Sequence, residues 1–276
     1  MGLTNNQKIK IKDLLSSKIE NKLKKYGRES SSMPFLARLI QDNEKIAAYS
    51  FIHSLATTLG MSIYEDVSVI LASDNCDECF RNYGVGGVIS NAQKSVISKI
   101  VADLRNGNRT ANISEEKREV LNASSANGVF QKSGSIADFY MKRNGEEYFF
   151  EIKTVKPNID VFEKSKTKLL EWVARKRSSV HVYLAFPYNP YHPEPYSRFT
   201  EVGMMDHPND FLVGNEYWNF IGSSNIFNDL LNAFDEVGKH FKDKLTRKFK
   251  QIAADKIDSY YSYPSPSLLR ADKKHQ

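Results

Sequence analysis

The amino-acid sequence predicts an α/β fold with a helical N-terminal region. Three observations support this class. Apolar residues recur at three- and four-residue spacing through residues 1–125, as expected for helices. Two runs rich in Phe, Tyr and Ile flank Asn144-Gly145, which indicates a β-hairpin. A helical pattern at residues 160–177 and a strand pattern at residues 179–188 follow it.

Composition favours one soluble domain spanning residues 1–276. Apolar residues make up 41% of the chain and charged residues 26%, which excludes disorder and fibrous repeats. No apolar run approaches the roughly 18 residues of a membrane span, and the N-terminus lacks a secretion signal, so the cytoplasm is the expected location. The net charge of +6 permits a polyanionic partner but does not require one.

The N-terminal part is expected to be mainly helical. The first helical pattern places Leu15 and Leu23 on one face and lysines on the others, which suits either a solvated helix or a contact with the DNA backbone. Residues 43–73 are strongly apolar and predict a buried helix, or two helices broken near Gly60. A helix beginning after Asn112, with Glu115 three residues on, has the pattern of a capping box.

Two short motifs in this part predict no chemistry. The stretch NYGVGGVIS lacks the Gly-Lys-Ser/Thr of a phosphate-binding loop and no clear strand precedes it, so it is expected to be a flexible loop. Cys76 and Cys79 are the only cysteines, and no second cysteine pair or histidine pair completes a zinc site. Ordinary thiols are the simpler interpretation.

The hairpin brings three charged residues onto one surface. With Asn144-Gly145 as a two-residue type I′ turn, Arg143 pairs with Glu146. Counting back along the strands places Asp138 opposite Glu151, with Cβ atoms roughly 5 Å apart. Lys153, two residues beyond Glu151, points to the same face.

Two carboxylates facing each other destabilise a hairpin unless another group compensates. A Mg²⁺ ion bound by Asp138 and Glu151 would compensate, since magnesium prefers hard oxygen ligands and accepts phosphate oxygens in its remaining positions. Lys153 would then hold or help deprotonate the attacking water and offset charge on phosphorus. The alternative is a solvent-facing ladder of charges. Glu-x-Lys also occurs at Glu20-Asn21-Lys22 and Glu115-Glu116-Lys117, but those copies lie in helical patterns.

The arrangement of Asp138, twelve intervening residues and Glu151-x-Lys153 resembles the PD-(D/E)XK nuclease signature, although Ala137 stands where proline is usual. The runs EYFFEIKTVKPNIDVFEKSKTKLLEW, YLAFPYNPY and DFLVGNEYWNF resemble the TdeIII-type group of type II restriction endonucleases. This resemblance covers most of residues 45–240. It implies a mixed β-sheet flanked by helices, with a helical N-terminal part at 1–125, a catalytic hairpin, helix and strand at 130–190, and a C-terminal loop and helices at 191–276.

The same resemblance implies Mg²⁺-dependent cleavage of double-stranded DNA at a short palindrome, by a homodimer that leaves 5′-phosphates. The group is associated with the site GGNCC. Asp138 and Glu151 take the metal-binding roles, and Lys153 joins them in catalysis. Such nucleases often add a glutamate from a helix before the hairpin, and Glu65 is the candidate.

On the helix after the hairpin, Lys164, Lys168 and Arg175 fall within about 40° of one another and form a candidate DNA-binding stripe. Glu171 lies in that stripe, so a salt-bridged solvated face explains it equally well. Two other functions stay open from the residues alone. A repair or junction-resolving nuclease with the same core would prefer damaged or branched DNA, and a non-catalytic DNA-binding protein would bind DNA without cutting it.

Overall fold

A computed structural model describes residues 2–26, 34–153, 156–197 and 203–255. It contains a five-stranded sheet with helices on both faces, which confirms the predicted α/β class. None of the helices in these ranges is both long enough and apolar enough to cross a bilayer. The basic C-terminal stretch LLRADKKHQ lies outside the described residues.

The secondary structure elements are as follows. The helices are α1 (Asn5–Lys25), α2 (Pro34–Ile40), α3 (Asn43–Thr58), α4 (Tyr64–Ala72), α5 (Asn91–Arg105), α6 (Ile113–Asn122), α7 (Ile159–Lys176), α8 (Asn215–Gly222) and α9 (Phe227–Asp255). The strands are β1 (Glu78–Gly84), β2 (Ile136–Arg143), β3 (Glu146–Ile152), β4 (His181–Phe186) and β5 (Phe211–Val213).

The chain divides into two compact units. The sheet unit comprises Met1–Ile11 and Gly60–Ala233, and the helical unit comprises Lys12–Leu59 and Phe234–Gln276. The helical unit has its own apolar core, formed by the buried side chains of Tyr26, directly after α1, and of residues in α3 and α9. The single-domain organisation of the whole chain stays a prediction.

The sheet is mixed, with strand order β1-β2-β3-β4-β5. Strands β1, β2 and β3 are antiparallel neighbours, whereas β4 runs parallel to β3 and β5 runs parallel to β4. A parallel pair needs a crossover connection, and α7 supplies it between β3 and β4. The carboxyl ends of β3, β4 and β5 therefore lie at the same edge of the sheet.

Helices cover both faces of the sheet, and strand alternation decides which residue faces which helix. The ring of Phe149 lies 6.1 Å from that of Trp172 on α7, while Phe150 lies 5.7 Å from Tyr217 on α8. Side chains two residues apart on a strand share a face. Glu151 therefore points to the α7 side of the sheet, together with Phe149.

Two strands differ from the sequence-based expectation. The last three residues of β1, 82–84, fall in the stretch that was expected to be a flexible loop, but β1 is an edge strand of the sheet, and its residues alternate between exposed and half-buried. Its Asn82 and Gly84 have low strand propensity, which hid it in the sequence. β5 falls in a segment that was expected to be helical. It has only three residues, fewer than the usual five or six.

Residues 43–73 form two helices, as the sequence predicts. α3 ends at Thr58, a π-helical turn spans Leu59–Ile63, and α4 follows, so the break lies at Gly60. The segment is only partly core, because Tyr49 is 51% exposed and Ile52 is 55% exposed.

A buried ion cluster links α6, α7 and the residue before β5. The Nζ atom of Lys166 lies 2.5 Å from Glu116 Oε2 and 2.5 Å from Asp210 Oδ2, and all three side chains are fully buried. Burial raises the pKa of Glu116. Burial also opposes the charge of Lys166, but the two carboxylates outweigh it and raise the pKa of the lysine. Lys166 therefore stays charged and holds α7 against its neighbours.

The cap of α6 agrees only in part with the expected capping box. Asn112 Oδ1 accepts a hydrogen bond from the backbone N–H of Glu115 at 3.1 Å, as predicted. The carboxylate that accepts from the backbone N–H of Asn112, at 3.0 Å, belongs to Glu116 instead of Glu115. Glu115-Glu116-Lys117 thus supports the helix start and the buried cluster.

Candidate active site

The hairpin of β2 and β3 has the predicted turn and register. Asn144 and Gly145 have φ values of 53° and 82°, as a type I′ turn requires, and Arg143 pairs with Glu146. The ladder continues to the pair Phe139 and Phe150. One further step in this register places Asp138 opposite Glu151.

Glu151 is buried, with 4% of its surface exposed, and both of its carboxylate oxygens contact a lysine. Lys153 Nζ contacts Oε1, and Lys168 Nζ from α7 contacts Oε2. The ammonium of Lys168 also lies 5.3 Å from the ring centre of Trp172, a cation–π distance. The backbone N–H of Lys153 donates to Ala185 O at 3.0 Å, which attaches it to the end of β4.

Asp138 is half-buried at the point where the β2–β3 ladder ends. Its Oδ2 accepts a hydrogen bond from the backbone N–H of Ile152 at 2.8 Å. Burial raises the pKa of Asp138, and the nearby charge of Glu151 raises it further, while Lys168 and Lys153 act in the opposite direction. Within the described residues, Oδ1 makes no hydrogen bond.

A cavity of about 530 Å³ borders Glu151, Lys153 and Lys168, whereas Asp138 is not one of its lining residues. It lies between β3, α7 and the segment that leads into β2, within the sheet unit. Its lining is mostly polar and charged: Ser133, Gly134, Glu151, Lys153, Val161, Glu163, Lys164, Ser165, Thr167, Lys168 and Glu171. Burial raises the pKa of Glu171, against the opposing effects of Arg175, Lys94 and Lys168. The cavity therefore offers both lysines and protonatable acids to an anionic substrate.

The candidate DNA-binding stripe on α7 is only partly a surface feature. Lys164 is exposed and lines the cavity, as expected, whereas Lys168 lines it while contacting Glu151. Arg175 differs from the expectation because it is only 3% exposed. Its Nη2 donates to Gln131 O at 2.8 Å and Ser133 O at 3.0 Å. Arg175 therefore fixes the segment before β2 instead of facing solvent.

Glu65 lies on α4 and is buried, with 7% of its surface exposed. Arg81 Nη2 on β1 lies 3.2 Å from its Oε2, and Arg81 also contacts Asp66. The charges that act on the pKa of Asp138 most strongly are those of Glu151, Lys168 and Lys153. The catalytic role of Glu65 stays a prediction.

Comparison with known families identifies the chain. A family described as type II restriction endonuclease, HinfI, matches residues 3–238. The chain belongs to this family. It is therefore a site-specific nuclease that binds DNA, which confirms the expectation of a type II restriction endonuclease. The resemblance to the TdeIII-type group and to the PD-(D/E)XK signature stays a prediction.

Curated relatives of this HinfI-family chain carry the same description. Type II restriction enzyme HgiCII of Herpetosiphon aurantiacus is 28% identical over 263 residues, which cover 87% of this chain and 96% of that enzyme. HgiEI of the same organism is 27% identical over 268 residues, or 88% and 97%. MjaII of Methanocaldococcus jannaschii is 29% identical over 210 residues, or 70% and 55%. No solved structure matches the chain.

Type II restriction endonucleases generally use divalent metal ions. Within the described part of this HinfI-family chain, no three His, Cys, Asp or Glu side chains are grouped to hold one. The protein donors would be the two carboxylates of Asp138 and Glu151. Magnesium is commonly held by one or two carboxylates, with waters and substrate phosphates in its other positions. The donor set therefore fits such an ion.

The cysteines take no part in this site. Cys76 and Cys79 are free thiols. Burial raises the pKa of Cys76, and it raises that of Cys79 to about 12. Both side chains are therefore protonated thiols at neutral pH, in agreement with the sequence-based interpretation.

The contact between Lys168 and Glu151 was not predicted from the sequence. The signal was present in the order of the elements, because a helix that joins two parallel strands must pack on one face of them. Glu151 faces that side, and Lys168 lies on the helix. The helix face that carries a charge can thus point to a strand residue instead of solvent.

Proposed function

We propose that this HinfI-family protein is a Mg²⁺-dependent type II restriction endonuclease that hydrolyses phosphodiester bonds in double-stranded DNA at a short palindromic site. Asp138, Glu151 and Lys153 form its active site. One observation supports this most: the hairpin register brings Asp138 opposite the buried Glu151, and an open charged cavity borders Glu151 and Lys153. Facing carboxylates weaken a hairpin, so their presence here favours a chemical role.

Each residue has a distinct task. Bound Mg²⁺, held by Asp138 and Glu151, would lower the pKa of a bound water and neutralise charge on the phosphate. The side chain of Lys153 is 36% exposed, so its ammonium can reach a phosphate in the cavity while it contacts Glu151. There it offsets negative charge that gathers on phosphorus during attack. The Ile152 N–H donates to Asp138 Oδ2, so Oδ1 is the oxygen that would bind the ion.

Lys168 is a positioning residue for Glu151. Two lysines on one buried carboxylate compensate its negative charge and restrict its rotation, because each oxygen has its own charged partner. The ammonium of Lys168 lies over the ring of Trp172, which restricts the lysine in turn. Of the three residues in the candidate DNA-binding stripe, Lys164 is the exposed one, so it suits contact with a DNA phosphate.

The finer features follow from the resemblance described above. They are cleavage at GGNCC, 5′-phosphate products, and a homodimer in which each active site cuts one strand. A cytoplasmic location is proposed with them, since a restriction endonuclease acts on DNA inside the cell. These features are inferred from the resemblance, and the geometry of the site does not bear on them.

The test is digestion of supercoiled plasmid with the full-length protein and Mg²⁺. Discrete fragments are expected, and EDTA should abolish them. Asp138→Asn, Glu151→Gln and Lys153→Met should each lower the cleavage rate by ~10²–10³-fold, because each removes one electrostatic contact to the transition state. Glu146→Gln on β3 and Lys142→Met on β2 are matched controls and should retain activity. Circular dichroism checks that every variant is folded.

Other outcomes would point to the alternatives. Cleavage of branched or damaged DNA with an intact plasmid left uncut would indicate a repair or junction-resolving nuclease. Plasmid binding without any cutting would indicate a non-catalytic DNA-binding protein. Run-off sequencing of the fragment ends identifies the recognised bases and the cut position.

A further inference from the structure

The second half of α9 carries an excess of positive charge. Residues 239–250 hold six lysines and arginines and a single acid, Asp243. Basic residues near the end of a helix often interact with its dipole, but the last turn of α9 contains none. The dipole of the helix therefore does not explain this charge.

Part of this charge lines a shallow cleft of about 270 Å³ within the helical unit. Leu23 of α1 and the side chains of Lys244, Arg247, Lys248 and Gln251 of α9 form it. The four α9 residues recur at i, i+3, i+4 and i+7, so they share one face of the helix. The neighbouring face carries Leu245, Phe249 and Ile252, which pack into the core of the helical unit. We refer to these five lining residues as the basic cleft.

The cations of the basic cleft repel one another with little compensation. Like charges at i,i+3 and i,i+4 destabilise a helix. Lys244 Nζ lies 4.0 Å from Glu20 Oε1, the outer limit of an ion pair. Among the described residues, neither Arg247 nor Lys248 has a carboxylate within 4.0 Å. An external anion would relieve this repulsion.

We infer that the basic cleft binds the sugar–phosphate backbone of DNA and forms a second contact surface, separate in sequence from the active-site hairpin. This inference rests on the DNA-cleaving function proposed above. Lys244 and Lys248 are about 6 Å apart along the helix axis. Successive nucleotides of one strand rise by about 3.4 Å, so the two ammonium groups suit nearby phosphates.

The chemistry of the basic cleft favours DNA over a lipid surface. Helices that bind membranes place Trp, Phe or Leu beside their basic face for insertion. Here the only apolar lining residue is Leu23, which is half-buried. Arg247 and Gln251 add planar hydrogen-bond donors suited to phosphate oxygens.

The test measures the salt dependence of DNA binding by the full-length protein in EDTA, where no cleavage occurs. A fluorescent 30-base-pair duplex of arbitrary sequence is the probe, and anisotropy gives the binding constant K across KCl concentrations. Each phosphate contact contributes about 0.9 to the slope of log K against log salt. The variant Lys244→Gln/Arg247→Gln/Lys248→Gln should flatten the slope by about 2–3. Arg247→Gln alone should flatten it by about 0.9.

The control is Lys239→Gln/Lys242→Gln/Lys250→Gln, which removes the same charge from the same helix outside the basic cleft. Its slope should change by less than ~1, since it removes no direct phosphate contact. An unchanged slope in the cleft variant would overturn the inference, and so would equal flattening by both triple variants. Binding is measured without catalysis, so an active Asp138→Asn enzyme would refute the proposed active site and leave this result standing.

Discussion

Replacement of Lys166 by methionine tests the buried ion cluster that holds α7 in place. The substitution removes the ammonium group but keeps an unbranched side chain in the core. Glu116 and Asp210 would then face each other without a cation, at sites where both side chains are 0% exposed. Because α7 also carries Lys168, this anchoring supports the contact to Glu151.

The expected loss is large. Removal of one partner of a buried ion pair costs about 3–5 kcal/mol, because the remaining charge is left unpaired. Two carboxylates lose the same partner here, so the free energy of unfolding should fall by about 4–5 kcal/mol near neutral pH. Two hydrogen bonds limit the loss: Asn112 N to Glu116 Oε1 at 3.0 Å and Asp206 N to Asp210 Oδ1 at 2.7 Å.

The loss should depend on pH in a defined direction. The pKa of Lys166 is raised in the folded protein, so its contribution is complete below the usual lysine value and is lost as pH rises through the raised value. In the variant, Glu116 keeps the pKa raised by burial but loses the cation that lowered it. The folded variant therefore binds protons more strongly than the unfolded chain, and its stability should fall as pH rises above the usual glutamate value.

Urea unfolding followed by far-UV circular dichroism measures both effects, at a mildly acidic and a mildly alkaline pH. Lys176→Met is the control, because its ion pair with Glu147, at 2.8 Å, is partly exposed and should contribute less than about 1 kcal/mol. A loss below about 1 kcal/mol for Lys166→Met would refute the reasoning. The reasoning would also be refuted if the difference in unfolding free energy between wild type and variant were larger at the acidic pH than at the alkaline pH.

Three further predictions concern the site and its supports. Lys168→Met should lower the free energy of unfolding by about 1.5–3 kcal/mol in EDTA, because buried Glu151 loses a charged partner. Mg²⁺ should reduce this loss. Urea unfolding that shows equal losses with and without Mg²⁺ would contradict the prediction. Gly145→Ala should lower the free energy of unfolding by about 1–2 kcal/mol in thermal melts, because a φ of 82° is unfavourable for a residue with a Cβ atom. Gly86→Ala is the control: the added Cβ has open space around it, so the change should stay within about 0.5 kcal/mol. Arg175→Met should speed amide hydrogen exchange in residues 131–135, and unchanged exchange there would argue against its role as an anchor.

The geometry of the hairpin followed directly from local sequence. Asn144-Gly145 selects a type I′ turn, a two-residue turn fixes the register, and strand alternation fixes the facing of every residue. These rules act over about twenty residues, so they need no knowledge of the rest of the fold. The pairing of Arg143 with Glu146 confirms the register that was counted from the turn.

The partners of the charged residues did not follow from local sequence, because they depend on how distant elements pack. Lys168 and Arg175 share a face of α7 in the helical projection, yet one contacts Glu151 and the other is buried against backbone carbonyls. The helical projection gives the direction in which a side chain points, but not how deeply that side chain is buried. The layer that covers each turn of α7 decides whether a cation there meets solvent, a carboxylate or a carbonyl.

The missed strands have a similar cause. β1 lies at the edge of the sheet and is half-exposed along its length, so it lacks the apolar alternation of a buried strand. Its pairing with β2 defines it, and that pairing spans about 60 residues of sequence. β5 is too short to show a pattern, and it is recognised only by its parallel pairing with β4.

The most direct test of the account is an electron paramagnetic resonance titration of Mn²⁺, as a spectroscopic substitute for Mg²⁺, against the full-length protein with duplex DNA present. The account predicts that the wild type and Lys142→Met bind Mn²⁺, whereas Asp138→Asn and Glu151→Gln each lose that binding because the ion needs both carboxylates. Undiminished Mn²⁺ binding by both carboxylate variants would contradict the claim that Asp138 and Glu151 form one metal site.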